Sequence, residues 1–185
     1  MREIASKQQL RLAFLRWAVV TVPFMLLVGF AAARLAPAGS QNAWYSALAK
    51  PVLTPPDWVF PVAWSAIYIL LGLALAMVLH ARGARLRGLG IALFAVQLVV
   101  NLTWSPIFFG MHQVGLALGI VVAMFALTVA MALVFARIRV VAAWLLLPYL
   151  AWLLVAFYLN YGILRLNPGA ETLAPSSSTT QIIRT

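Results

Sequence analysis

Seven tryptophans, ten phenylalanines and five tyrosines carry most of the chemistry this chain can offer. Trp64 and Trp152 lie inside apolar runs, away from the run ends where tryptophan normally marks the membrane–water boundary. Phe60, Trp64, Tyr68 and Leu71 recur at helical spacing, as do Tyr149, Trp152, Ala156 and Leu159, so each set shares one helical face. Large rings beside a small alanine would leave a flat apolar cavity between helices. Such a cavity suits a planar hydrophobic ligand held by burial and stacking. Simple packing of a helical bundle accounts for the same pattern.

Ionisable chemistry is scarce. The three acids, Glu3, Asp57 and Glu171, all lie outside or at the ends of the apolar runs. Pumps and proton-coupled transporters need ionisable groups at membrane depth, and a Ser–His–acid arrangement needs a buried acid, so neither is supported. His80 and His112 stand at run boundaries and read as interfacial side chains. No His–carboxylate spacing suggests a metal site, so none is expected. The absence of cysteine excludes disulfides, thiolate metal sites and cysteine nucleophiles.

The elements that must position the aromatics follow from composition. Of 185 residues, 65% are apolar and 9% charged, against about 25% charged in a soluble domain, so most of the surface must face lipid. A helix needs about 20 apolar residues to cross a bilayer core, and five stretches qualify, at about 12–33, 57–80, 89–111, 114–136 and 140–165. Because the backbone must satisfy its own hydrogen bonds in lipid, these are helices. The fold class is therefore an all-α membrane protein, a five-helix transmembrane bundle forming one domain over 1–166. The Ser- and Thr-rich segment 167–185 reads as a disordered tail. An alternative reading takes Arg11, Arg16, the first apolar run and Ala36-Pro37-Ala38 as a cleaved signal peptide, which would leave four spans.

The net charge of +10 comes from basic residues placed between apolar runs, a topology and anionic-lipid signal with no nucleic-acid partner implied. Arg2, Lys7, Arg11, Arg16, Arg82, Arg85, Arg87, Arg137 and Arg139 share one side. Arg34, Lys50, Arg165 and Arg184 share the other. The bias places the N-terminus in the cytoplasm and the C-terminus outside it. In the long link 34–56 and the residues after it, Thr54 is positioned as an N-cap, Pro55 as the first helical residue and Asp57 as the third. Gly115, Gly119 and Ala123 form a small-residue stripe that permits close helix approach. Leu159, Tyr161 and Arg165 fit a proposed sterol-contact pattern, and Tyr161 and Arg165 are equally well placed as interfacial anchors.

Several of these residues fall in a specific order. Lys50-Pro51, Thr54-Pro55-Pro56-Asp57-Trp58-Val59-Phe60 and Trp64 resemble the loop and second-helix signature of the TspO/MBR family of tryptophan-rich sensory and translocator proteins. Gln97, Asn101, Trp104, Pro106, Ile107-Phe108-Phe109-Gly110, Pro148-Tyr149-Leu150-Ala151-Trp152 and Leu159-Asn160-Tyr161 continue the resemblance, which covers roughly residues 15–166. It implies a five-helix bundle, usually a homodimer, whose cavity binds a porphyrin such as protoporphyrin IX or heme and, in some members, sterols and benzodiazepine-type drugs. No cofactor is required. It also implies that the first span is retained. The expected function is a porphyrin-binding receptor or sensor, with light-dependent porphyrin degradation or passive transport as alternatives.

By this resemblance the ligand-binding residues are Phe60, Trp64, Tyr68, Asn101, Trp104, Phe108, Tyr149, Trp152, Ala156 and Leu159. Trp64 and Trp152 would be catalytic if the porphyrin is degraded. Leu159, Tyr161 and Arg165 match the region assigned to sterol recognition. Bacterial relatives of this kind occupy the cell membrane. Two positions depart from the family pattern: Leu53 where a tryptophan is common, and Leu116 where some animal members carry a pocket tryptophan.

Overall fold

The computed structural model describes residues 7–34 and 39–172. Glu3, the Ala36-Pro37-Ala38 stretch and the tail from residue 173 onward lie outside the described residues. The long helices are α1 (Lys7–Arg34), α3 (Val59–His80), α4 (Arg87–Ser105), α5 (Val114–Ile138) and α7 (Leu147–Leu166), with short helices α2 (Ala43–Ala47) and α6 (Val140–Trp144) between them. Among the described residues there is no strand. Five helical stretches are long and apolar enough to cross a membrane. Side chains such as Val19, Leu27, Val99 and Leu133 point outward, as lipid-facing residues do.

Two of the five stretches are interrupted, and proline explains both. Pro106 has no N–H to donate to the turn behind it, and α4 widens into a π-helical turn over Pro106–Gly110, closed by a Met111 N–H to Pro106 carbonyl bond of 2.9 Å. The fifth stretch, expected as one helix, is α6 and α7 joined through Leu145 and Leu146. Pro148 is tolerated there because it falls in the first turn of α7.

Close backbone approach sets the spacing of α1 and α3. A Cβ on Gly72 would lie 2.7 Å from the Val22 Cα, so only glycine lets the helices come this near. Thr21 Oγ1 donates to the Gly72 carbonyl at 2.7 Å, using the same notch.

The sequence-based cap at Thr54 does not form. The helix starts at Val59, with no side-chain cap on its first turn. Pro56 disfavours helical backbone at Pro55, and the chain instead turns over 51–54, with Thr54 N–H and Oγ1 both bonded to the Pro51 carbonyl. The Asp57 carboxylate accepts from the Ser40 N–H at 2.9 Å, so it ties the loop and not the helix.

The expected disordered tail is ordered over its first six residues. Asn167 clasps Ala49 through two hydrogen bonds, accepting from its N–H at 2.8 Å and donating to its carbonyl at 2.9 Å. Trp44 Nε1 donates to the Ala170 carbonyl at 2.8 Å, and the Gly115 N–H donates to Glu171 Oε1 at 3.0 Å. Together with Trp44 stacked on His112 (centroids 4.4 Å apart), these contacts build a cap over one end of the bundle. His112 holds left-handed backbone (φ 58°) to make the sharp turn into α5.

Candidate functional site

Beneath the cap, α3, α4, α5 and α7 diverge around a cleft. Phe60 and Trp64 reach it from α3, Trp104 from α4, Phe108 and Phe109 from the π turn, and Val121 and Met124 from α5. From α7 come Trp152, Leu153, Ala156, Leu159, Asn160 and Ile163, and Tyr45 of α2 closes the cap end. The π turn matters here. An undistorted helix would place Phe108 and Phe109 100° apart, and the wider turn lets both consecutive rings face the cleft.

The rings pack edge to face and in offset stacks. Trp64 and Trp152 lie 6.5 Å apart at 79°, Phe60 and Trp152 5.8 Å apart at 80°, and Trp104 stacks on Phe108 at 5.1 Å. Space between the walls amounts to about 540 Å³ counting the open mouth, and the cavity volume of the cleft is about 40 Å³.

A buried polar cluster underlies the cleft. Tyr149 OH accepts from Gln97 Nε2 at 2.6 Å and from Asn101 Nδ2 at 2.7 Å, and it leans on Met124 Sδ at 3.6 Å. Tyr68 OH donates to Asn101 Oδ1 at 3.2 Å. Thus α4, α5 and α7 meet at one hydroxyl, and α3 joins them through Asn101. Gln97 Oε1 is buried without a hydrogen-bond partner.

Of the ten residues expected to bind ligand, Phe60, Trp64, Trp104, Phe108, Trp152, Ala156 and Leu159 line the cleft. Tyr68, Asn101 and Tyr149 do not. Their polar groups bond one another, which draws them below its floor. Leu159 faces inward while Tyr161 and Arg165 are exposed, so the three residues of the sterol pattern do not share a face. Tyr161 stacks on Phe157 at the outer surface. Leu116 is exposed, outside the cleft, as is Leu53. Gly115, Gly119 and Ala123 also lie on the outer surface of α5.

Tyr45, Phe109 and Asn160 are cleft residues that helical spacing around Trp64 and Trp152 did not reveal. Asn160 stood in a recognised motif, and the structure shows its work: it accepts from Trp104 Nε1 at 3.3 Å and donates to the Val114 carbonyl at 2.8 Å.

The comparisons with known proteins agree with this architecture. The model of the TspO/MBR family matches residues 18–166. The chain belongs to the TspO/MBR family. Among its relatives, the tryptophan-rich protein TspO of Chlorobaculum tepidum is 41% identical over 165 residues, covering 88% of this chain and 99% of that one. The tryptophan-rich sensory protein of Cereibacter sphaeroides is 37% identical over 80% of this chain and 95% of its own. The human translocator protein is 35% identical over 71% of this chain and 79% of its own. This TspO/MBR protein is thus an integral, multi-pass membrane protein, and its match spans all five long helices.

Proposed function

We propose that this TspO/MBR protein is a membrane receptor that binds a tetrapyrrole, protoporphyrin IX or heme, in the aromatic cleft. The observation that carries the reading is the convergence of Phe60, Trp64, Trp104 and Trp152 on one apolar cleft, since a planar macrocycle is held by burial and by stacking on such rings. The names sensory protein and translocator protein, borne by relatives, fit a ligand-responsive role. Sterols and benzodiazepine-type compounds are further candidates for the same apolar volume. The cavity volume of about 40 Å³ has room for about three waters, so the rings must part to admit a macrocycle. Binding then includes a conformational step.

Titration with protoporphyrin IX in neutral-lipid nanodiscs tests the reading. Trp64 and Trp152 lie at the site, so their fluorescence should be quenched saturably. Trp64→Phe and Trp152→Phe should each remove part of the quenching and weaken binding. Quenching that rises linearly with porphyrin and never saturates would refute the receptor.

A second reading, light-driven oxidative degradation of the bound porphyrin, is favoured by the 6.5 Å separation of the two oxidisable indoles and by Tyr149, 6.2 Å from Trp64. It requires that porphyrin loss in light exceed loss without protein and vanish in the double Phe variant. With no acid inside any span to couple it, any transport would be passive and would show as porphyrin flux above that of empty vesicles. The receptor is proposed to work as a homodimer in the bacterial cell membrane, its N-terminus cytoplasmic.

A further inference from the structure

The cleft is apolar within, and one ammonium, Lys50, lies against its Tyr45 wall. Trp104 donates to Asn160 and Asn160 to the Val114 carbonyl, and the other polar groups on the walls, the Trp64 and Trp152 indole N–H groups and the Tyr45 hydroxyl, are neutral. A carboxylate drawn into this interior would exchange its water for at most these few neutral donors, so an anionic ligand keeps that group at the rim, beside a cation.

Lys50 stands there. Both its neighbours are pinned: Ala49 by the two hydrogen bonds from Asn167, and Pro51 in the notch that Gly162 leaves on α7. Its Nζ lies 4.7 Å from the ring centroid of Tyr45, a wall of the cleft. The ammonium donates to the carbonyls of Leu48 and Ser46 at 3.3 and 3.5 Å, long contacts that a carboxylate can displace. Asp57 is close enough to feel the charge of Lys50, but its Oδ2 is held by the Ser40 N–H.

We propose that Lys50 recognises the anionic group of the ligand. A planar apolar body lies between Trp64, Trp152 and Phe60, and a carboxylate on its outer edge pairs with Lys50 Nζ. The site therefore selects planar hydrophobic acids over their neutral counterparts, and it sets which edge of the ligand enters first. This inference rests on the cleft being the ligand site.

The experiment compares protoporphyrin IX with its dimethyl ester, titrated into the full chain in neutral-lipid nanodiscs. Wild type, Lys50→Met, Lys50→Arg and Arg165→Met are measured at low and high salt. A half-buried ion pair predicts that Lys50→Met weakens the free acid about three- to tenfold and leaves the ester unchanged, with Lys50→Arg near wild type. On the unmodified protein, raising the salt should weaken the acid and spare the ester. Ester binding reports that the cleft is intact in each variant. Equal losses for acid and ester, no loss for the acid, or a selective loss in Arg165→Met with none in Lys50→Met would each overturn the assignment. Wild type binding neither probe would instead remove the tetrapyrrole reading itself.

Discussion

Tyr149→Phe deletes one oxygen and leaves the ring in place, which makes it the sharpest probe of the polar cluster beneath the cleft. The hydroxyl accepts from Gln97 Nε2 and Asn101 Nδ2, at 2.6 and 2.7 Å, in a region closed to water. Removing it strands two buried donors. A stranded donor costs about 1–3 kcal/mol, while interhelical hydrogen bonds in membrane bundles average about 0.6 kcal/mol because the unfolded chain also finds partners. Two bonds therefore bracket the loss between about 1 and 6 kcal/mol, with about 2 kcal/mol expected. Reversible unfolding in mixed micelles, titrated with denaturing detergent and followed by circular dichroism, measures it. Gln97→Leu sharpens the test. Gln97 already carries an unpartnered Oε1, so in the Tyr149→Phe background its replacement relieves a stranded donor and an orphan acceptor together. The double variant should regain about half of the lost stability. A Tyr149→Phe cost below about 0.5 kcal/mol, or no recovery in the double variant, would refute the view that this hydroxyl ties α4, α5 and α7 together.

Other expectations follow from the same geometry. Ala156→Phe places a ring in a cleft whose cavity volume is about 40 Å³, so porphyrin quenching should fall by about tenfold or more while helicity by circular dichroism holds. Gly72→Ala sets a Cβ 2.7 Å from the Val22 backbone, which must push α1 from α3 and lower stability by about 1–3 kcal/mol in the same detergent titration. The Ser40 hydrogen bond, with the charge of Lys50 adding to it, holds the Asp57 carboxyl below its ordinary pKa. Loop stability from this group is thus present above the ordinary carboxylate value and lost as pH falls through the lowered one. Exchange of the Ser40 amide should accelerate relative to its unstructured rate in that acid window, and Asp57→Asn should abolish the pH dependence.

The spans were legible because lipid leaves so few options: an apolar run of this length must be a helix, and charges mark its ends. Phe60, Trp64, Trp152 and Ala156 were legible as two helical faces because their spacing is local. Tyr149 shares the face of Trp152 but lies deeper, since spacing gives a direction but not a depth, and the pull of Gln97 and Asn101 on its hydroxyl comes from another helix. Tyr45 reaches the cleft from the short helix α2 in the link, through contacts that no periodicity records. Thr54 shows the opposite failure. Its neighbours match a helix start, yet the Pro55-Pro56 pair delays the helix and Asp57 finds a better partner in Ser40, seventeen residues earlier in the chain. The order of residues 167–172 was equally hidden, because polar, Ser- and Thr-rich composition says nothing of the single Asn167 that clasps Ala49.

That clasp has a bearing on how the molecule is made. The bond from Trp44 to Ala170 joins positions 126 residues apart, and the Asn167 pair joins positions 118 apart. During synthesis the first four long helices can enter the bilayer and pack while both partners of the cap are still missing. The lid over the cleft is fastened only when the last few residues of the described chain emerge. Until then, the end of the aromatic cleft that the cap covers stays open.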